Sequence, residues 1–229
     1  IDTASTLAEI EDIYRPYRPK RRTRATIAKE KGLEPLADVI FAQAVGMDAP
    51  ETLAQTYIDT EKGVETVDDA LAGASDILAE RISDDAQVRG SLRTLMEKRA
   101  NAMSTALKDE DSVYRMYYDF SQPASRLQSH QILALNRGER EGYLKVSIQM
   151  DKAEAVQCLR RAVVKPGTPA MAFLGGVCAD CYDRLLAPSM ERELRNSLTD
   201  MAAERAIHNF ALNLRPLLMQ PPVKGHVTM

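Results

Sequence analysis

Tryptophan is absent from this sequence, and aromatic residues make up only 5% of its 229 positions. A core built here rests on Leu, Ala, Ile, Val and Met, the side chains that fill helical interiors, rather than on stacked rings. Cysteine is almost as scarce. Three residues, an odd number with no secretory leader before them, argue against a disulfide framework and for a reducing compartment, here expected to be the cytoplasm. No apolar run approaches the roughly 18 residues of a membrane span, so no membrane partner is expected. Fixed-period repeats and low-complexity tracts are also missing. Ile1 stands first rather than an initiator Met, and the sequence reads as a piece of a longer chain.

Reaction machinery is equally hard to find. "LGGVC" at 174–178 lacks the Gly-Lys-Ser/Thr that makes a phosphate loop, and neither G-x-S-x-G nor H-E-x-x-H occurs. Cys178 and Cys181 form a C-x-x-C, but zinc needs four ligands, and Cys158, His130, His208 and His226 each stand alone. Both cysteines continue the apolar stripe of Leu174 and Leu185, so they are expected to be small core residues. His130 follows Ser129, the expected N-cap of a helix, and is expected to be structural, contact with a ligand being the other reading. Acids are plentiful but fall on the polar faces of helices. The chain is therefore expected to be no enzyme, with no metal, no cofactor and no small-molecule substrate.

What the sequence does have is charge, unevenly placed. The formal net charge is −3, with 45% hydrophobic and 28% charged residues, an ordinary globular balance. Yet residues 15–31 hold eight basic side chains against the single acid Glu30, leaving a surplus of acids elsewhere. The densest stretch is "YRPYRPKRRTR" at 14–24, which carries Arg15, Arg18, Lys20, Arg21, Arg22 and Arg24. Three readings are open. The cations can neutralise phosphates while Tyr14 and Tyr17 stack on bases. Their guanidinium forks can clamp acids on neighbouring helices. Or the run is a solvated connection, which Pro16 and Pro19 disfavour because they give it a fixed shape.

Periodicity predicts a mostly helical chain. Leu7, Ile10 and Tyr14 suggest a helix over 4–14, which Pro16 and Pro19 stop. Thr23 can cap a short helix running through Glu30, with Gly32 just beyond it. A helix over 35–45 follows, and Pro50 opens another. From Thr66, the residues Val67, Leu71, Ala74, Leu78 and Ile82 form one stripe. Asp84 and Gln87 resemble a capping box for a long helix extending to Met103 and Leu107. A helix from Ser129 to about Gly138 precedes Leu144, Val146 and Ile148, whose alternation predicts a strand. Helices resume after 152, and Pro188 and Ser189 are expected to start the last, which Pro216 closes.

"IYRPYRPKRRTRATIAKEKGLEPLAD" (13–38) resembles the hallmark segment of the Tex family of bacterial transcription accessory proteins. "SHQILALNRGEREGYLKV" (129–146), "DRLLAPSMERELRNSLTDMAAERAIHNFALNLRPLL" (183–218) and, more loosely, "LAGASDILAERISDDAQVRGSLR" (71–93) are similar to the same family. The resemblance implies a piece of the helical N-terminal region of a multidomain protein whose other modules include an RNase H-like domain, helix-hairpin-helix units and an S1 domain. It implies a mainly α, elongated multihelical scaffold, with residues 1–62 as a small helix-turn-helix-like unit bearing the basic arm. Residues 63–229 would form the rest of the scaffold, with at most a minor β element. Function follows in two versions. One is sequence-independent contact with RNA or DNA, weak for this piece, through Arg15, Arg18, Lys20, Arg21, Arg22 and Arg24. The other is a docking module for RNA polymerase or for the protein's own remaining domains.

Overall fold

A computed structural model describes residues 7–18, 21–108 and 110–219. The helices come first. They are α1 (Leu7–Tyr14), α2 (Arg24–Glu30), α3 (Glu34–Ala42), α4 (Pro50–Ala54), α5 (Val67–Asp84) and α6 (Ala86–Arg99). Strands β1 (Asn101–Ala106) and β2 (Asp119–Pro123) follow, then α7 (Ser129–Arg140) and β3 (Leu144–Gln149). The chain closes with α8 (Lys152–Val163), α9 (Met171–Cys181) and α10 (Ala187–Leu218). It is a mainly α fold with a small sheet, as expected. Among the described residues no helix is long and apolar enough to cross a membrane.

Packing divides the chain into two units. The first comprises Ile1–Lys98 and Met150–Glu191 and is organised around α5. Helices α2, α3, α4 and α9 all pack against it. The buried face of α5 mixes small and large residues, Ala70, Ala74, Ile77, Leu78, Ala79 and Ile82. Each large one, fully withdrawn from water, contributes ~1.5–3 kcal/mol. Small residues let neighbours approach closely: a Cβ on Gly73 would stand 2.3 Å from the Leu33 side chain. Cys178 and Cys181 are fully buried on α9, and the Cys181 thiol donates to the Ala79 carbonyl at 3.2 Å. Burial pushes these thiols up to about 11 and about 12, so both stay protonated at neutral pH.

Local signals explain the helix starts. Thr23 accepts from the Thr26 amide at 3.1 Å, and Gly32 takes the left-handed conformation (φ +82) after α2. Thr66 and Asp69 form a capping box: the Thr66 hydroxyl accepts from the Asp69 amide at 3.1 Å, and the Asp69 carboxylate accepts from the Thr66 amide at 3.0 Å. The Thr66 hydroxyl also donates to that carboxylate and holds it below its ordinary 3.8. Thr66→Ala is expected to cost about 1 kcal/mol in a denaturant melt. Because the folded value is lowered, the carboxylate's contribution is complete above 3.8 and disappears as pH falls through the lowered value. The variant's deficit should therefore shrink on acidification.

Four boundaries here differ from expectation. The cap of α6 is Asp85, one residue later than Asp84, and it accepts from Val88 N at 2.9 Å. The helix then ends at Arg99 instead of reaching Leu107, because 101–106 is claimed by β1. Nor does Pro188 start the last helix. A π-helical segment over Tyr182–Leu186 joins α9 to α10, and the Ala187 N–H reaches back five residues to the Tyr182 carbonyl. Proline lacks an N–H and crowds the carbonyl four residues back, and the wider π turn absorbs both faults. Pro216 lies inside the helix, which continues to Leu218.

The second unit, Arg99–Gln149 and Arg192–Met229, holds an antiparallel sheet of order β2-β1-β3. β1 is central, with Ser104 opposite both Phe120 and Val146. Helix α7 packs on β3. The start of α7 is capped by Gln128 with Gln131, not by Ser129, and the helix runs past Gly138 to Arg140. Gly138 is instead a close-approach residue: a Cβ there would lie 2.6 Å from Leu144 Cδ1 and 3.1 Å from Tyr114 Cδ1. Val146 faces away from β1, and both its backbone groups are engaged by side chains. Its N–H donates to Glu139 at 3.4 Å, and its carbonyl accepts from Arg195 at 3.3 Å. Arg195 and Glu139 are themselves ion-paired.

Candidate nucleic-acid interface

The basic run leaves the end of α1 through a 3-10 turn over Arg15–Tyr17, with Pro16 at its start. Arg18 is already extended (φ −70, ψ 132). Proline's fixed φ suits the first position of such a turn and ends the α-helix behind it. Arg18, Arg21, Arg22 and Arg24 are exposed, while Arg15 is half-buried and leans toward Asp12, its Nε 4.0 Å from Oδ1. Lys20 lies outside the described residues. Tyr14 and Tyr17 are exposed to 57% and 78%. The structure thus brings four exposed guanidinium groups and two open rings to one short segment.

Arg22 pairs with Glu30 at 2.7 Å, both groups largely in water. Such a pair contributes ~0–1 kcal/mol, so a phosphate can displace the carboxylate cheaply. Beside the arm lies an open groove of about 530 Å³. Arg18, Lys29 and Arg81 line it, but so do Glu80, Asp84 and Asp85. The cations on this side of the arm are therefore locally offset by acids.

What anchors the arm was not among the sequence candidates. Asp12, on α1, has a side chain only 4% exposed, and it accepts from Arg89 Nε at 2.6 Å. Arg93 donates to its other oxygen. Arg89, itself 1% exposed, also donates to Ser189 Oγ at 3.3 Å. One carboxylate between two arginines of α6 fixes the helix from which the basic run departs. The signal was present: Arg89, Leu92 and Met96 share the i, i+3, i+7 spacing of a single helical face, so a cation sits on the buried stripe.

His130 is exposed on the first turn of α7, beside an open groove that Arg205 and His208 also line. Among the described residues, no three His, Cys, Asp or Glu side chains are grouped as a metal ion requires.

A family model described as Tex central region-like matches residues 47–210. The chain belongs to the Tex family. It is 42% identical over 234 residues to YdcI of Bacillus subtilis, with 100% of this chain covering 32% of that protein. To the protein tex of Bordetella pertussis it is 36% identical, 97% of the chain covering 30%. To human S1 RNA-binding domain-containing protein 1 it is 30% identical, 98% covering 24%. The chain spans about a third or less of the curated relatives it matches. The Tex central model begins beyond the basic arm, whereas the YdcI match covers the whole chain.

Proposed function

We propose that this chain is a helical scaffold without catalytic residues, part of a cytoplasmic Tex-like transcription accessory protein. Through its arm it touches RNA or DNA without regard to sequence. The observation that carries this reading is the exposure of Arg18, at the end of the Pro16 turn, and of Arg21, Arg22 and Arg24, which lead into α2. Exposed guanidinium groups close together in sequence neutralise phosphates and read no base edges. Related proteins add support by name, one from Neisseria gonorrhoeae being called a transcriptional accessory protein and the human relative an S1 RNA-binding domain-containing protein. The contact does not extend to insertion in a DNA groove. Helices α2 and α3 are joined by a short Gly-containing turn in helix-turn-helix manner, but α3 carries Glu34 and Asp38 and no basic residue.

Charge reversal tests the reading. Arg21→Glu with Arg22→Glu is expected to weaken binding of a labelled single-stranded oligonucleotide at least tenfold, with the helical circular dichroism unchanged. For the unaltered chain, four phosphate contacts predict a log–log salt slope of roughly −3. A flat salt dependence, or equal binding by the variant, would remove the arm from the interface. The second reading, a docking module for RNA polymerase or for other parts of the protein, is favoured by the mixed-charge groove around Arg18, whose acids suit a protein surface better than a polyanion. Under that reading neither the parent chain nor the double variant binds the oligonucleotide, and Arg18→Glu loses the protein partner.

A further inference from the structure

Helix α1 is fastened chiefly by charge. From Ala8 to Tyr14 its buried residue is Asp12, while Ile10 and Tyr14 are 40% and 57% exposed. An amphipathic helix normally docks through its apolar side chains; here two of them face water and the carboxylate is turned in. Three guanidinium groups meet that carboxylate. Arg89 donates to Oδ1 through Nε at 2.6 Å, Arg93 donates to Oδ2, and Arg15 Nε stands 4.0 Å from Oδ1. Arg89 is also held away from α1, since its Nη2 donates to Ser189 Oγ at 3.3 Å, a contact that stays when α1 lifts. The Arg93 side chain is 19% exposed and forms the mouth of the cradle.

We propose that Arg89 and Arg93 form an oxyanion site for a phosphate group, which Asp12 occupies from within, making α1 an autoinhibitory strap. Guanidinium forks pair carboxylates and phosphates in the same manner. A carboxylate brings one charge and two oxygens. A phosphate monoester brings nearly two charges and three acceptor oxygens, so it is the stronger partner for the same two arginines. What favours Asp12 is tethering, which gives it an effective concentration on the order of millimolar. A phosphate displaces it when it is presented as locally as Asp12 is. The basic run begins at Arg15, just beyond Asp12. A nucleic acid lying on the arm therefore brings phosphates to the mouth of the site, a step that rests on the arm as the nucleic-acid contact. Lifting α1 then adds Arg89 and Arg93 to the phosphates' partners.

Asp12→Ala opens the site. In the 229-residue chain its melting temperature is expected to rise by about 4 °C once inorganic phosphate reaches roughly ten times its dissociation constant, at constant ionic strength. The parent, in which Asp12 competes, should rise by only about 1 °C over the same range. Adding Arg93→Gln to Asp12→Ala should remove the response. Asp12→Asn, which keeps the shape without the charge, gives the same comparison if the alanine variant is too unstable to melt. A single-stranded oligonucleotide identifies the source of the phosphate. About tenfold tighter binding by Asp12→Ala than by the parent, cancelled by Arg93→Gln, assigns the site to a nucleic-acid backbone. Unchanged affinity beside an intact phosphate response assigns it to a small phosphorylated ligand. Equal phosphate responses in parent and Asp12→Ala, no response in either, or a response that survives Arg93→Gln would overturn the proposal. A chain that binds no oligonucleotide at all fails the arm reading alone, because the phosphate response is read without it.

Discussion

Asp12→Ala is expected to lower the melting temperature by roughly 10 °C, the equivalent of about 3 kcal/mol in a chain of this size. The effect is large because the replacement strands charge instead of merely deleting a contact. Arg89 is 1% exposed and donates to Asp12 through Nε, and Arg93 donates to the same carboxylate. Arg89 keeps Ser189, which places the cost at the lower end of the range for a broken buried pair. Protection from amide exchange should vanish first along α1, where Asp12 is the buried position among those whose side chains are described. The reverse change is gentler. Arg89→Met fills the same space with an apolar chain and leaves Asp12 paired to Arg93. Should the two variants melt together, buried charge is not what holds α1 in place.

Gly138→Val is the second large effect, expected at about 3 kcal/mol in urea denaturation, near the top of the range for overpacking. Even the first added carbon meets Leu144 Cδ1 at 2.6 Å, Leu144 Cγ at 3.0 Å and Tyr114 Cδ1 at 3.1 Å. Neither neighbour has room to retreat, since Leu144 is fully buried on β3 and Tyr114 nearly so. Gly138→Ala should fall between the two. A valine variant as stable as the parent would mean that α7 and β3 can separate without loss.

These two sites also show where sequence reasoning stops. Gly138 reads as a helix terminator because glycine favours C-caps, and only the position of Leu144 reveals that it serves packing. Starts of helices at Thr23, Pro50 and Thr66 were readable because a cap is a local device, complete within four residues. The strand at Leu144, Val146 and Ile148 was readable from alternation. β1 was not: "NAMSTA" has little strand preference of its own and extends only because it lies between β2 and β3. For the candidate site, the run of cations could be counted in advance, but its division could not. Arg22 pairs with Glu30 while staying largely in water, and among the described cations of the run only Arg15 is drawn in, toward Asp12. Which guanidinium is drawn inward depends on the placement of α6, a long-range fact.

The engagement of Val146 by Glu139 and Arg195 has a consequence for how the molecule meets its own kind. A three-stranded sheet has two rims, and each invites an extended chain to add itself and begin a fibre. On the outer rim of β3, that invitation is answered by a carboxylate and a guanidinium occupying the places a newcomer's amide groups would take. The other rim carries Asp119, a charge, and Pro123, which has no hydrogen to offer. Losing Glu139 would thus do more than break an ion pair: it would open a seam along which one copy could be stitched to the next.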